Sequence, residues 1–314
     1  MDKIPVGISA CLVGDEVRYN GGHKRDAYIN GTLAGHFSFH RFCPEVGIGL
    51  GVPRPTLRLI ASDGGARAVR TEDRTFDVTE QLVSYSREQF DEISQLSGLI
   101  LKRDSPSCGM ARVKVYDADA RPVARGQGVF ARTVMDRFPC LPVEEEGRLG
   151  DPGLRENFVQ RVFIYHRWRS DYFPALSVQK LTDFHARHKL IFMSHDQNQC
   201  RELGRLAASA RPDNLDAIAA DYLSLAMTNL KKIASRKNHL NVLQHIQGYL
   251  KKQLDAEDKQ ELIEIFERFE RGELPLIVPV TLLQHHFRKS PDEYINRSWY
   301  LNPYPAELRL MNLL

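Results

Sequence analysis

Short apolar runs alternate with glycine and proline punctuation in the first part of the chain, and later apolar positions recur at helical spacing with long polar faces between them. This change divides the chain into two expected domains, 1–150 and 151–314. Ile4-Pro5-Val6-Gly7-Ile8-Ser9 reads as a short buried strand running into Cys11, and Phe37-Ser38-Phe39-His40-Arg41-Phe42 alternates like a second strand ending at Cys43. Apolar Leu82, Val83, Phe90, Ile93 and Leu96 predict helix over 79–96. A third strand, Gly98 to Lys102, then leads into the loop Ser105-Pro106-Ser107-Cys108-Gly109. Residues 113–116 and 121–125 predict a hairpin, 128–137 a helix and 141–144 a last strand. Strands alternating with helices indicate an α/β, Rossmann-like open sheet, mainly parallel, in which ligands bind outside the carboxyl ends of the strands. That rule predicts that Cys11, Cys43 and Cys108 converge. The second domain reads as all-α, with helices over 155–169, 177–195, 214–235, 240–254 and 258–271 and breaks at Pro275 and Pro291.

Composition narrows the class. The 314 residues exceed one ordinary domain of roughly 100–200 residues, and 42% hydrophobic with 26% charged residues fits neither a disordered nor a membrane-embedded chain. Lys plus Arg number 43 against 40 Asp plus Glu, so electrostatics alone gives no reason to expect a nucleic-acid partner. The opening MDKIPVGIS reaches charge and glycine too early for a secretory leader, and no stretch supplies the ~20 apolar residues of a membrane helix. A cytoplasmic protein without a membrane partner is expected. Five scattered cysteines form an odd set, which argues for thiols, ligands or buried apolar groups over a disulfide framework.

The three strand-end cysteines carry the chemistry. Free cysteine is commonly just a buried apolar group, and no CxxC spacing marks zinc here. Their neighbours weigh the other way: Cys11 precedes Gly14, Cys43 precedes Pro44 and Cys108 lies between Ser107 and Gly109, all loops suited to close approach. Three soft thiolates with no histidine in the same loops suit an iron-sulfur cluster better than a catalytic zinc. A 4Fe-4S cluster held by three cysteines keeps one iron open as a Lewis acid. Cys140 and Cys200 read as structural thiols. Arg18, Lys24, Arg25, Lys102 and Arg103 flank the first and third cysteine loops, where an anionic group would find positive partners. Gly47-Ile48-Gly49-Leu50-Gly51 lacks phosphate-loop order and reads as a close-packed turn. His185, His188, His195 and the pair His285-His286 fit polar helix packing better than metal binding, and the basic run 231–239 fits a solvated face.

Cys11-Leu12-Val13-Gly14 with Arg18-Tyr19-Asn20-Gly21-Gly22-His23-Lys24-Arg25, the run from Cys43-Pro44-Glu45 through Pro53-Arg54-Pro55, and Lys102 to Gly109 together resemble the thiouracil desulfidase family. The resemblance covers most of residues 4–150. It implies an oxygen-sensitive 4Fe-4S enzyme of sulfur metabolism and nucleotide salvage, acting without net redox change. The implied substrate is a thiopyrimidine, most physiologically 4-thiouridine monophosphate, giving UMP and hydrogen sulfide. It further implies Cys11, Cys43 and Cys108 as cluster ligands and Glu45 and Ser105 as the catalytic carboxylate and hydroxyl, with Ser107 a near neighbour able to share the latter role. The second half resembles the YbgA-like domain in Phe184-His185-Ala186-Arg187-His188-Lys189-Leu190, in His239 to His245 with Gly248-Tyr249, and in Leu274 to Pro279, which implies no particular chemistry. Two other readings stand beside this one. One is an iron-sulfur or metal-binding module docking RNA or a protein; the other is a cysteine-nucleophile hydrolase, which needs a histidine such as His23 or His40 beside a thiol. The choice among base, nucleoside and monophosphate, and the oligomeric state, stay open at this level.

Overall fold

The computed structural model describes residues 2–313, and the chain forms two compact units, Met1–Gly150 and Asp151–Leu314. The first carries strands β1 (Ile4–Ser9), β2 (Phe37–Phe42), β3 (Leu57–Ile60), β4 (Arg67–Arg70), β5 (Leu99–Leu101), β6 (Val113–Tyr116), β7 (Pro122–Gly126) and β8 (Val143–Glu145). Between them run helices α1 (Ala27–Gly31), α2 (Pro44–Gly47), α3 (Thr79–Glu88), α4 (Phe90–Ser94) and α5 (Val129–Arg137).

Strands β2-β1-β5-β8 form one sheet, parallel throughout, with Ile8 in register with both Arg41 and Ile100, and Leu101 with Glu145. Val6, Ile8, Leu99, Ile100 and Leu101 are fully buried, as expected where a parallel sheet is covered on both faces. Each such side chain contributes roughly 1.5–3 kcal/mol on leaving water. The chain leaves β1 for β2 on one side and returns to β5 on the other. The strand order therefore reverses at β1, and a crevice opens beyond the carboxyl ends of β1, β2 and β5.

A second sheet, β4-β3-β6-β7, goes beyond the expected hairpin. Its centre pairs β3 with β6 in parallel, and both outer pairs are antiparallel. Leu57-Arg58-Leu59-Ile60 and Arg67-Ala68-Val69-Arg70 are too short and too interrupted by arginine to announce strands. They become strands because Leu59, Ala68, Val113 and Val115 share one core with Val78, Leu82 and Val129. The helix expected over 79–96 divides at Gln89, where Phe90 turns to pack edge-on against Phe138, ring centroids 5.4 Å apart.

The second unit consists of α6 (Pro152–Arg167), α7 (Val178–His195), α8 (Gln197–Ser209), α9 (Leu215–Leu230), α10 (Arg236–Gln247), α11 (Ala256–Glu270), α12 (Ile277–Lys289) and α13 (Glu293–Arg297), with no strand among its described residues. Asp151, Ser177, Asp196, Ser235, Asp255 and Asp292 cap helix N-termini through side-chain oxygens. These caps move expected boundaries: α6 starts at Pro152 ahead of 155, and α11 at Ala256 ahead of 258. Helix α9 stops at Leu230 because Ser235 starts α10 at Arg236, ahead of the Leu240 read from periodicity. Helices α8, α12 and α13 lie outside the expected helices, and α12 holds Pro279 in its first turn, where a missing N–H is tolerated. Among the described residues no helix is long and apolar enough to cross a membrane.

Candidate active site

Each cysteine is placed by a strand end. Cys11 sits in the single 3₁₀ turn Ala10–Leu12 after β1, Cys43 immediately follows β2 as the N-cap residue of α2, and Cys108 closes the loop after β5. All three line one cavity of about 380 Å³, with Glu45, Lys102 and Ser105 also on its wall. The Cys108 loop is held from below by α5: Val129 N–H donates to Pro106 O (3.0 Å), Ala131 N–H to Ser107 O (3.2 Å) and Gly128 N–H to Gly109 O (2.8 Å). Gly128 is required there, since a Cβ would stand 2.5 Å from the Ser107 carbonyl.

The thiols feel one another. Burial, then the neighbouring Cys43, pushes Cys11 up to about 11; burial raises Cys43; burial drives Cys108 far above the thiol range, with Cys43, Glu45 and Cys11 adding to the rise. An activated cysteine nucleophile needs the opposite shift. The two histidines that could have served one are engaged elsewhere: His40 Nδ1 meets Glu92 at 2.9 Å on the surface, and His23 Nδ1 accepts from Arg25 N–H at 3.2 Å.

Glu45 lies in the first turn of α2 and both its oxygens are engaged. Oε1 accepts from the Ser107 hydroxyl at 2.9 Å, and Oε2 accepts from Arg54 through Nε and Nη2, each at 2.8 Å. The Arg54 side chain is 4% exposed and also donates to Gly51 O (3.0 Å) and Val17 O (2.9 Å). It therefore ties the Cys43 segment to the Cys11 loop and aims the carboxylate. The sequence reading passed over Arg54. Its signal was an arginine between two prolines, Pro53 and Pro55, directly after a glycine-rich turn, where Gly49 and Gly51 have φ of +81° and +74°.

The two serines divide their work. Ser105 Oγ accepts from the N–H groups of Ser107 (3.2 Å) and Cys108 (3.0 Å), which shapes the loop, and it lines the cavity. Ser107 is fully buried and its hydroxyl reaches Glu45. The five expected cations also separate. Arg18 and Lys24 line the cavity, with Arg18 5.3 Å from the Tyr19 ring centroid. Lys102 and Arg103 line it too, but Lys102 pairs with Glu146 and Arg103 reaches Asp104 at 3.7 Å. Arg25 is exposed and packs over Gly14, outside the cavity wall.

The donor set suits the iron-sulfur cluster read from the sequence. It is three sulfurs lining one cavity, Cys11 and Cys108 buried and Cys43 half-buried, and thiolate is the form in which a cysteine ligates metal. No three His, Cys, Asp or Glu side chains among the described residues stand close enough to share a single metal ion. A multi-iron cluster accepts thiolates standing farther apart than a single ion does.

Residues 6–146 match the family described as 2-thiouracil desulfurase. The chain is 32% identical over 109 residues to "Uncharacterized protein YbbK" of Bacillus subtilis (strain 168), spanning 32% of this chain and 71% of that protein. The chain belongs to the 2-thiouracil desulfurase family. Residues 189–305 of this family member match a second family, "Protein of unknown function (DUF1722)". It is also 31% identical over 151 residues to "Uncharacterized protein YbgA" of Escherichia coli (strain K12), covering 48% of this chain and 89% of that protein. A solved structure, the 4Fe-4S-dependent thiouracil desulfidase TudS, is 28% identical and covers 48% of this chain and 94% of that chain, at a TM-score of 0.36.

In the second unit the histidines singled out by the sequence take separate partners. His185 Nδ1 meets Tyr222 OH at 3.0 Å, His188 Nδ1 meets Phe184 O at 2.8 Å, and His195 lies between Gln160 Oε1 (2.7 Å) and the Lys232 carbonyl. Burial lowers all three.

Proposed function

We propose that the first unit is a hydrolytic desulfidase for 4-thiouracil compounds, converting 4-thiouridine 5′-monophosphate to UMP and hydrogen sulfide. The observation that carries this reading is the convergence of Cys11, Cys43 and Cys108 on one cavity with the doubly held carboxylate of Glu45 on its wall. Cys11, Cys43 and Cys108 would hold a 4Fe-4S cluster, which supplies an open, soft iron with affinity for thiocarbonyl sulfur.

The remaining work belongs to side chains. Water must deliver its oxygen to the ring carbon and both of its hydrogens must leave with the sulfur, so the balance is one water in and one hydrogen sulfide out, with no electrons transferred. Glu45 is the group placed to carry those protons, a contribution typically worth 10²–10⁴-fold. Arg54 keeps its carboxylate aimed into the cavity, and the Ser107 hydroxyl fixes the other oxygen. Ser105 lines the cavity with its hydroxyl hydrogen left over after accepting two N–H bonds, and that hydrogen is available to a substrate oxygen or sulfur. Lys102 and Arg18 set positive charge beside Cys11, which favours thiolate, and Arg18 and Lys24 on the wall attract an anionic substrate.

The test is anaerobic purification with iron and sulfide quantification, followed by product analysis on 4-thiouracil, 4-thiouridine and its monophosphate. Equimolar uracil product and sulfide are expected. A fully iron-loaded protein that releases neither would overturn the reading.

A further inference from the structure

The outer face of the second sheet carries a row of cations. Leu59 and Val115 are registered across β3 and β6 and point into the core, so Arg58 and Lys114, one residue earlier on each strand, share the opposite face. Lys114 is in turn paired with Arg125 across β6 and β7. Three positive side chains thus stand side by side on three adjacent strands, roughly 4.8 Å apart in the pairing direction. Like charges directly opposite each other destabilise a sheet. Among the described residues none of the three forms an ion pair with a carboxylate.

Arg58 is the built member. Its Nη2 donates to Thr71 O at 2.8 Å, its guanidinium carbon stands 5.7 Å from the Tyr116 ring centroid, and its Nε is buried without a hydrogen-bond partner. Arg58, Lys114 and Tyr116 line a cavity of about 500 Å³ that shares Leu57, Asp104 and Pro106 with the cysteine cavity as a common wall. Asp104 is the one acid among its described lining residues, and it lies against Arg103.

Resting on the desulfidase reading, we propose that the Arg58–Lys114–Arg125 row is an anion subsite that takes the phosphate end of the pyrimidine nucleotide whose base enters the cysteine cavity. Two of the five cations first expected to do this, Lys102 and Arg103, already have carboxylate partners, and Arg25 lies off the wall. Among the described residues the row offers cations without such partners, next door.

The experiment is binding of UMP, uridine and inorganic phosphate to the full-length, anaerobically purified protein by calorimetry, with Lys114→Glu, Arg125→Glu and, for comparison, Lys24→Glu. Lys114 and Arg125 are exposed, and circular dichroism checks that each variant folds. The wild type should bind UMP about tenfold to hundredfold more tightly than uridine, the range of one charge-assisted contact. Lys114→Glu should remove that preference, Arg125→Glu should reduce it, and inorganic phosphate should compete with UMP. An unchanged preference in both row variants, or its loss in Lys24→Glu alone, would overturn the subsite. Binding of an oligouridylate far more tightly than UMP would replace it with a site for a phosphodiester chain. Intact UMP binding without sulfide release from thiopyrimidines would overturn the desulfidase reading and leave the subsite standing.

Discussion

The carboxylate of Glu45 and the guanidinium of Arg54 meet at 2.8 Å through two nitrogens, with the arginine side chain almost wholly buried beneath the cysteine loops. Truncating one partner of a buried pair leaves the other's charge uncompensated, so this contact governs both loop position and carboxylate aim. Arg54→Lys keeps the charge and gives up the planar fork. Turnover should fall at least ~10-fold while iron content stays near normal. Arg54→Met should lower both, measured as iron per chain and sulfide released per iron.

Glu45→Gln keeps size and hydrogen bonding and removes the exchangeable proton. An intact cluster absorbance with turnover at least ~100-fold lower is expected, the low end of acid-base contributions. Near-normal turnover would take Glu45 out of the chemistry, and lost absorbance would make it structural.

The cysteines should separate into two classes. Cys11→Ala, Cys43→Ala and Cys108→Ala should each abolish cluster absorbance and sulfide release. Cys140→Ala and Cys200→Ala should leave iron per chain unchanged, since neither lies on the cavity wall.

Ser105 and Ser107 can be told apart. Ser105→Ala removes an acceptor for two backbone N–H groups of the Cys108 loop, a loss of about 1 kcal/mol for each bond, and should lower iron retention under chelator challenge. Ser107→Ala removes only the bond to Glu45 and should lower turnover at constant iron.

The stability of the helical unit should depend on pH through its buried network. Burial lowers His185 and His195 to about 4 and His239 to about 3, below the usual 6.5. Between those values and 6.5 only the unfolded chain binds these protons, so stability rises with pH across that window, by up to about 1.4 kcal/mol per pH unit for each group. Burial raises Glu156 to about 7, against a usual 4.5. There the folded state binds the extra proton, so its contribution falls between 4.5 and 7. Burial lowers His188 in the same sense, so these histidines outweigh the one carboxyl up to about pH 6.5, after which stability should level and dip slightly toward 7. Trp168 and Trp299, the two tryptophans of the chain, both lie in this unit. The urea midpoint of tryptophan fluorescence from pH 4.5 to 8 reads the effect, and a midpoint falling steadily from 4.5 to 6.5 would contradict it.

Much of the fold was legible because it is written in local patterns. The apolar runs at Ile4–Ser9 and Leu99–Leu101 are buried on both faces and so carry no alternation to be misread. The strand-end rule for parallel sheets then predicted that Cys11, Cys43 and Cys108 would meet, and they line one cavity. The helical unit was legible in part from its apolar periodicity, and its boundaries moved where capping side chains overrode that periodicity, as at Asp151 and Ser235.

The sequence by itself determined which residues could bind soft metal and which strand ends would present them, because both follow from side-chain chemistry and from the direction of the strands. Only the tertiary structure decided the rest. The second sheet arose from four-residue strands whose apolar positions gain a core only when α3 and α5 pack on them. Arg54 acquired its partner because the turn at Gly49 and Gly51 folds the chain back on Glu45. Lys102 and Arg103 lost their availability to Glu146 and Asp104, while Arg58, Lys114 and Arg125 became neighbours through strand register. Pairing between charges depends on distances that span the fold, and a linear pattern does not contain those distances until the chain has closed.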